Sequence, residues 1–140
     1  MSETFSILVI DPGRAKCGFA VLGNDTSVLE KGIVETNQVG VLIERISKNY
    51  PTLGSIILGE GTNSKMIEKE IKKQIKEAKI RYEEEKNSTL EARKLYFIDN
   101  PPSGIWKYIP LGLQHPPVPI DDYAAIVIGM RYLARVSKEQ

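Results

Sequence analysis

The sequence predicts a three-layer α/β fold, in which a five-stranded mixed sheet carries helices on both faces. Three observations favour this fold. Three short apolar segments joined by tight turns open the chain, which is typical of an antiparallel meander. Two later apolar segments alternate with amphipathic helical patterns, which is typical of parallel crossover connections. A length of 140 residues with 41% hydrophobic residues suits one domain, predicted to span residues 1–140.

The first three strands are predicted over Phe5–Ile10, Cys17–Leu22 and Val28–Thr36. Each is short and rich in apolar or β-branched residues. Asp11-Pro12-Gly13 ends the first strand and Gly23-Asn24-Asp25 ends the second, because these residue types favour turns. Parallel strands need longer connections, so strands one to three are predicted to be antiparallel.

A helix is predicted over Val39–Tyr50, where apolar residues recur at the spacing of one helix face. Pro51 ends it, because the residue before a proline is disfavoured in the helical conformation. The apolar run Leu53–Gly59 is predicted to be a buried strand parallel to the first. A second helix begins near Asn63, with Ile67, Ile71, Ile75 and Ala78 on one face and Lys65, Lys69, Lys72 and Lys76 on the opposite face.

The remaining elements are a weak fifth strand, a third helix, a long loop and a final helix. The strand is predicted over Ile80–Glu84, and the helix over Ser88–Ile98 with one of its first two residues as the N-cap. Residues 99–119 contain six prolines and are predicted to form turns. The final helix follows directly and runs to about Ser137.

Charge and composition exclude several classes of protein. The 19 Lys and Arg residues nearly balance the 18 Asp and Glu residues, which excludes a protein that holds nucleic acid by bulk positive charge. No apolar run approaches the ~18–20 residues of a membrane span and no signal-peptide pattern opens the chain, so we expect a cytoplasmic protein without membrane contact. Cys17 and His115 are single residues of their types, which is too few for a zinc site.

Carboxylates stand where predicted strands end and where the last helix begins. Asp11 follows the first strand, and Asp121 and Asp122 open the final helix. Each has a structural interpretation, as a turn residue or a helix N-cap. The alternative is that Asp11 and Asp121 share a divalent cation, with Asp122 as a further ligand, because a rigid strand end holds a ligand accurately.

Two further acidic positions fit the metal interpretation. Glu60 lies between two glycines directly after the fourth strand, and Glu83-Glu84-Glu85 ends the fifth. Such a run is often only a solvated surface. Carboxylates at strand ends nevertheless suit Mg²⁺ or Mn²⁺, which prefer oxygen ligands. A pair of these ions can activate water and stabilise the leaving oxygen in phosphodiester cleavage. Asp11, Glu60 and Asp121 are therefore candidate metal ligands.

Basic and aromatic residues offer a candidate nucleic-acid surface. Ten of the 19 basic residues lie between Lys65 and Lys94, together with seven acids, so this segment is net positive. The lysine face of the second helix is either a solvated surface or a track for phosphate groups. Trp106 and Tyr108 could stack on an unpaired base, but the more common role of such rings is to pack their loop onto the core.

Three segments, in this order, resemble the YqgF (RuvX) family, a branch of the RuvC-like Holliday junction resolvases. Residues 7–21 resemble the family's first hairpin, in which an apolar strand leads into Asp-Pro-Gly, a basic turn, a glycine and a second strand. Residues 84–92 resemble its Asp-Glu-Arg-Phe-Thr-Ser-x-Glu-Ala segment, with Lys86 for Arg and Asn87 for the aromatic residue. Residues 120–125 resemble its C-terminal Asp-x-x-Ala-Ala motif. The likeness spans nearly the whole chain.

The resemblance implies an RNase H-like fold and a nuclease that depends on Mg²⁺ or Mn²⁺. It assigns catalysis to Asp11, Glu85 and Asp121. Glu60 has no counterpart in the usual YqgF pattern, but RuvC-type resolvases place a second acidic ligand there, so Glu60 remains an alternative to Glu85. The proline-rich loop before the last helix is a further departure from the family.

The implied partner is nucleic acid, either branched DNA, as in junction resolution, or structured RNA, as in processing of precursor small-subunit (16S) ribosomal RNA. The residues predicted to bind it are Arg14, Lys16, Lys65, Lys69, Lys72, Lys76 and Lys86. Paired cuts in a junction would need a homodimer.

The alternative function is a catalytically inactive nucleic-acid-binding or regulatory protein of the same fold. Actin-like kinases also begin with a strand, Asp and Gly, but the chain is too short for their two lobes.

Overall fold

The computed structural model describes residues 4–61 and 63–138 and confirms the five-stranded mixed sheet. The strands are β1 (Ser6–Asp11), β2 (Lys16–Gly23), β3 (Val28–Glu35), β4 (Leu53–Gly59) and β5 (Ile80–Glu83). Their order is β3-β2-β1-β4-β5. β1 and β3 both pair antiparallel with β2, whereas β4 pairs parallel with β1 and β5. The strand that ends at Asp11 is therefore the centre of the sheet.

Four helices cover the two faces of the sheet: α1 (Val39–Asn49), α2 (Ser64–Gln74), α3 (Ser88–Asp99) and α4 (Asp121–Lys138). Successive side chains of β1 point to opposite faces of the sheet, and each face is covered by two of the helices. Ile7 and Val9 belong to a core with α3 and α4, whereas Leu8 and Ile10 belong to a core with α1 and α2. Within the described ranges, no helix is both long and apolar enough to span a membrane.

The end of α2 and the N-cap of α3 differ from the predictions. α2 ends at Gln74, and Ile75 is already extended with φ −135° and ψ 98°. Ile75 and Ala78 still pack against the core, but from the short connection that leads into β5. The N-cap of α3 is Asn87 rather than one of the two residues after it, and its φ of 61° is left-handed. Asn tolerates this conformation better than most residues do.

The long segment before α4 is more regular than a series of turns. It contains two 3₁₀ helices, Gly104–Tyr108 and Leu111–Leu113. Trp106 and Tyr108 lie on the first of these, and their residues are 55% and 80% exposed. The expectation that this loop packs both rings onto the core is therefore wrong.

Helix α4 lies very close to the sheet because two glycines leave room for it. A Cβ atom on Gly18 of β2 would overlap the backbone carbonyl of Asp121 and lie 2.8 Å from the backbone nitrogen of Asp122. A Cβ atom on Gly129, farther along the helix, would lie 2.7 Å from Cγ2 of Val9. The first turn of α4 therefore rests on β2, beside the end of β1.

Candidate active site

Asp11 is held at the end of the central strand and points to the face that α4 covers. Its position follows from strand alternation, because Ile7 and Val9 pack on that face and Asp11 continues the series. Asp11 pairs across the ladder with Gly18. Because the start of α4 rests on Gly18, the same contact brings Asp121 beside Asp11. These two predicted acids therefore share one site.

Glu85 reaches the same site from beyond the end of β5. Its carboxyl group occupies the space above Gly59, where a side chain would collide with it. A Cβ atom on Gly61 would lie 3.4 Å from Glu85 Oε2. The glycines on either side of Glu60 thus make room for Glu85. This role was missed at the level of sequence, although a Gly-x-Gly at a strand end indicates a close approach.

The three adjacent glutamates at the end of β5, Glu83 to Glu85, have different surroundings. Arg135 Nη2 donates to Glu83 Oε1 at 2.7 Å, and Arg131 Nη1 donates to the backbone oxygen of Glu84 at 3.0 Å. Only Glu85 of the three turns towards Asp11. The run is therefore divided between ion pairing with α4 and the candidate site.

The carboxyl groups of Asp11 and Glu85 lie against each other, and each affects the pKa of the other. Glu85 Oε1 is buried, and no N–H or hydroxyl group of the described residues donates to it. Burial is the main cause that raises the pKa of Asp11 to about 8, followed by the hydrogen bond and the negative charge of Glu85, and then by the charge of Asp121. The hydrogen bond between the two carboxyl groups thus requires a proton, which Asp11 holds at neutral pH.

Glu60 affects the pKa of Glu85 less than burial and Asp11 do. Burial raises the pKa of Glu85, the hydrogen bond from Asp11 lowers it, and the charge of Glu60 raises it again. Glu60 itself is exposed, and its backbone N–H donates to the oxygen of Glu83 at 3.0 Å. Glu60 is therefore at the margin of the cluster, close enough to act on Glu85 by its charge.

Two lysines pair with the acids that open α4. Lys16 Nζ lies 3.4 Å from Asp121 Oδ2, and Lys31 Nζ lies 3.0 Å from Asp122 Oδ2. Asp122 Oδ1 accepts a hydrogen bond from the backbone nitrogen of Tyr123, and the Lys31 ammonium also lies 4.6 Å from the centre of the Tyr123 ring. The structure therefore places Asp122 against β3 and does not bring it together with Asp11. Lys16 instead lies at the site.

The other basic candidates are exposed and lie around the site or on the opposite face. Arg14, in the turn after β1, lines an open cavity of about 530 Å³ with the end of β3 and the start of α2. Lys86 follows Glu85 directly and is exposed. The lysines at 65, 69 and 72 lie on the solvent side of α2, and Lys76 lies just beyond its end. Lys72 also pairs with Glu68 at 3.7 Å.

The cluster offers the oxygen ligands that a hard divalent cation prefers, but they are not arranged as a complete metal site. In the described part of the chain, no three His, Cys, Asp or Glu side chains form a group that could hold a metal as placed. The donors of Asp11, Glu85 and Asp121 are all carboxylate oxygens, however, and one buried oxygen of Glu85 lacks a donor. A cation could neutralise the charge that a proton on Asp11 now compensates. These residues therefore fit Mg²⁺ or Mn²⁺.

The proton on Asp11 predicts an unusual pH dependence of stability. In the unfolded chain Asp11 ionises near 3.8, whereas in the folded protein it keeps its proton to about pH 8. The stabilisation is therefore complete below pH 4 and is lost as the pH rises towards 8. With EDTA present, we expect Asp11→Asn to be more stable than the wild type at pH 8, by on the order of 2 to 4 kcal/mol, and to differ little at pH 4.

Urea unfolding of both proteins at pH 4, 6 and 8 measures this difference, and subtraction of the two curves removes the contribution of the carboxyl groups outside the cluster. Parallel pH dependences in the two proteins would contradict the proton on Asp11.

Comparison with solved structures identifies the fold. The chain is similar to the Fowlpox virus resolvase, solved with its substrate Holliday junction DNA, over 94% of this chain and 99% of that one, with a TM-score of 0.63 and 11% identity. It is similar to Thermus thermophilus RuvC over 94% and 96% of the two chains, with a TM-score of 0.56 and 13% identity. The same protein in complex with a Holliday junction substrate gives a TM-score of 0.57 at 12% identity, over 95% and 96% of the chains. No family model and no curated protein matches the sequence. At these identities the likeness shows an RNase H-like fold of the RuvC type.

Proposed function

We propose that the protein is a metal-dependent endonuclease that cleaves branched DNA or structured RNA. The observation that carries this proposal is the cluster of Asp11, Glu85 and Asp121 at the end of the central strand, where Glu85 fills the space above Gly59 and the start of α4 rests on Gly18. A purely structural cluster would gain from apolar replacement of such groups. Perturbed carboxyl groups held together by glycine contacts are typical of functional sites.

In this mechanism Asp11, Glu85 and Asp121 would hold Mg²⁺ or Mn²⁺, with Glu60 at the margin. When bound, such ions activate a water molecule and stabilise the leaving oxygen of a phosphodiester. The chain contributes rigid placement of the carboxylates, because β1 is central and α4 is fixed on Gly18. Asp11 must release its proton to become a ligand. Lys16, next to Asp121, is placed to attract a phosphate group near the ions.

The resemblance of residues 84–92 and 120–125 supports a finer proposal, that the protein is a divergent relative of the YqgF family. Its Glu85 and Asp121 match the family's acids, and both line the cluster. We propose Glu85 rather than Glu60 as the second catalytic acid, because Glu85 is partly buried against Asp11 while Glu60 is exposed.

The test is cleavage by the purified protein with Mg²⁺, Mn²⁺ or EDTA. The substrates are a four-way DNA junction, duplex DNA, single-stranded DNA and a structured RNA carrying the same sequences. We expect metal-dependent cuts in the junction or the structured RNA. Sedimentation of the complex shows whether two copies act on one junction. Binding without cleavage under either metal would contradict the nuclease and support the inactive nucleic-acid-binding protein.

Replacement of Lys69, Lys72 and Lys76 by Ala tests the lysine track on α2. If these exposed side chains contact phosphates, we expect weaker binding and a salt dependence of log Kd that is shallower by roughly 2 to 3. Cleavage at saturating substrate should be unchanged, because α2 packs on the face of the sheet opposite to Asp11.

Binding isotherms at several salt concentrations measure the slope. A matched control replaces Lys48, an exposed lysine of α1 that pairs with Glu44. Unchanged affinity and slope in the triple variant would show that this lysine face is only solvated.

A further inference from the structure

A second cavity, separate from the carboxylate cluster, lies between the end of α3 and the segment that leads into α4. Its volume is about 550 Å³, within the ~300–1,000 Å³ typical of small-ligand sites. Three aromatic rings form much of its wall: Tyr96, Phe97 and Trp106. Side chains that can form hydrogen bonds stand at its border, among them Asn100, Ser103 and His115. The cavity thus combines flat apolar walls with a polar border.

A buried glutamine holds the outer wall of this cavity in place. Gln114 is 6% exposed, and its Nε2 donates to the backbone oxygens of Trp106 at 2.9 Å and Ile109 at 2.7 Å. The Trp106 residue is nevertheless 55% exposed. Because the backbone that carries Trp106 is held in place, less of the chain has to be ordered when a partner contacts the exposed ring.

The cavity is joined to the carboxylate cluster by a short chain of contacts. The ring of Tyr96 packs edge-to-face on Tyr123, with centroids 5.7 Å apart, and the Tyr123 hydroxyl donates to Asp99 Oδ2 at 2.9 Å. Tyr123 lies in the first turn of α4, which begins with Asp121. Tyr96, which lines the cavity, therefore contacts the helical turn that carries Asp121.

We propose that this cavity takes an unpaired nucleobase from the strand bound at the carboxylate cluster. Aromatic walls stack on the face of any base, and the polar border can bond to its edge. Lys107, between two exposed rings, lies 5.3 Å from the centre of the Tyr108 ring and supplies the one charged side chain of residues 104–118 for the adjoining phosphate. A fully paired duplex offers no such base. This inference rests on the proposed function and narrows its substrate to nucleic acid with unpaired or displaced bases.

The exposed aliphatic residues near the cavity suggest a second occupant, another copy of this chain. Ile105 and Leu113 are 74% and 73% exposed. The polar border and the lysine beside Tyr108 favour a base over an apolar protein surface, so self-association is treated as an outcome of the test.

Trp106 is the only tryptophan of the sequence, so its fluorescence reports on the cavity directly. The protein used is the full chain with Asp11→Asn, which prevents cleavage. The probes are a single-stranded oligonucleotide, the same strand with abasic sites, and a fully paired duplex. We expect strong quenching by the single strand, and little by the abasic strand or the duplex.

Two variants of the same protein extend the test to affinity. Trp106→Leu removes one stacking ring, and Ser103→Phe fills the cavity from its exposed border while leaving Trp106 in place. We expect each to weaken single-strand binding by roughly 10-fold or more and to leave duplex binding unchanged. The matched control is Val41→Ala, an exposed apolar residue on the opposite side of the sheet, which should change neither.

Equal quenching by the intact and abasic strands would overturn the inference. A fluorescence change that follows protein concentration alone, with a dimer in sedimentation, would also overturn it and assign the surface to a second copy. Cleavage by the wild type without base-dependent quenching would leave the nuclease and remove the base site. Base-dependent quenching without cleavage would keep the base site and remove the nuclease.

Discussion

Asp11→Asn is expected to abolish metal-dependent cleavage while nucleic-acid binding survives or tightens. The amide keeps the size and shape of the carboxyl group but cannot become a charged ligand, so the cluster loses the residue that links Glu85 with Asp121. We expect a fall in the cleavage rate of at least ~10²-fold, which is the upper range for residues that only support metal ligands. The affinity is retained because the amide, like the protonated carboxyl group, places no negative charge against phosphate. Cleavage and binding are measured with the same protein on one labelled substrate.

Asp25→Asn makes the same chemical change at an exposed turn and serves as the control. The Asn oxygen can still accept the bonds that Ser27 now donates to Asp25 Oδ1. Glu85→Gln should match Asp11→Asn, and Glu60→Gln should have a smaller effect because Glu60 is exposed. Cleavage by Asp11→Asn at the wild-type rate would assign any nuclease activity to another site.

Gly18→Ala is expected to be the most destabilising single-methyl change near the site. The added Cβ would overlap the carbonyl group of Asp121, and backbone atoms cannot move aside as a flexible side chain can. The first turn of α4 would have to move off β2, which takes Asp121 away from Asp11. We expect a loss of about 2 to 4 kcal/mol in the free energy of unfolding. Protein that remains folded should bind Mn²⁺ more weakly in calorimetry.

Gly54→Ala is the matched control, because it adds the same methyl group to a strand where the nearest atom would be 3.8 Å away. We expect that change to be nearly neutral. Similar unfolding free energies for the two variants would show that α4 does not rest on Gly18 as described.

The sheet could be predicted because its signals are local. Short segments bounded by turn residues indicate the strands, most clearly the apolar runs of β1, β2 and β4, and the pairing directions follow from the connection lengths. Helix ends were less predictable. The helical pattern continues through Ile75 and Ala78, but the chain leaves α2 at Gln74 to reach β5, which is a constraint of the whole fold rather than of the local sequence.

Part of the candidate site could also be predicted from local sequence, and part could not. A strand end and a helix start indicated that Asp11 and Asp121 could lie together, with a turn residue and a helix N-cap as the alternative. Glu85 was assigned by resemblance alone, because nothing in Glu83-Glu84-Glu85 shows which carboxylate turns inward. That choice depends on Arg131 and Arg135, far along the chain in α4.

Asp122 shows a further limit of sequence reasoning. Adjacent aspartates at a helix start look alike, but they point in directions about 100° apart around the helix axis. Asp121 therefore lies near β1 while Asp122 meets Lys31 of β3. The pairing depends on the register that places Lys31 opposite Ala20, and this register is not visible before the sheet is formed.

The contact between Gly18 and the start of α4 also has a consequence for the order of events during synthesis. A ribosome delivers the first strand long before the last helix, whereas a domain generally folds as a unit. When only the sheet has formed, Asp11 and Glu85 lack Asp121. The contact between Gly18 and Asp121 joins residues far apart in the sequence, and such contacts form slowly. A partly synthesised chain thus has no complete carboxylate cluster. The candidate nuclease can hold its ions only after the C-terminal helix has docked, so activity should appear together with complete folding.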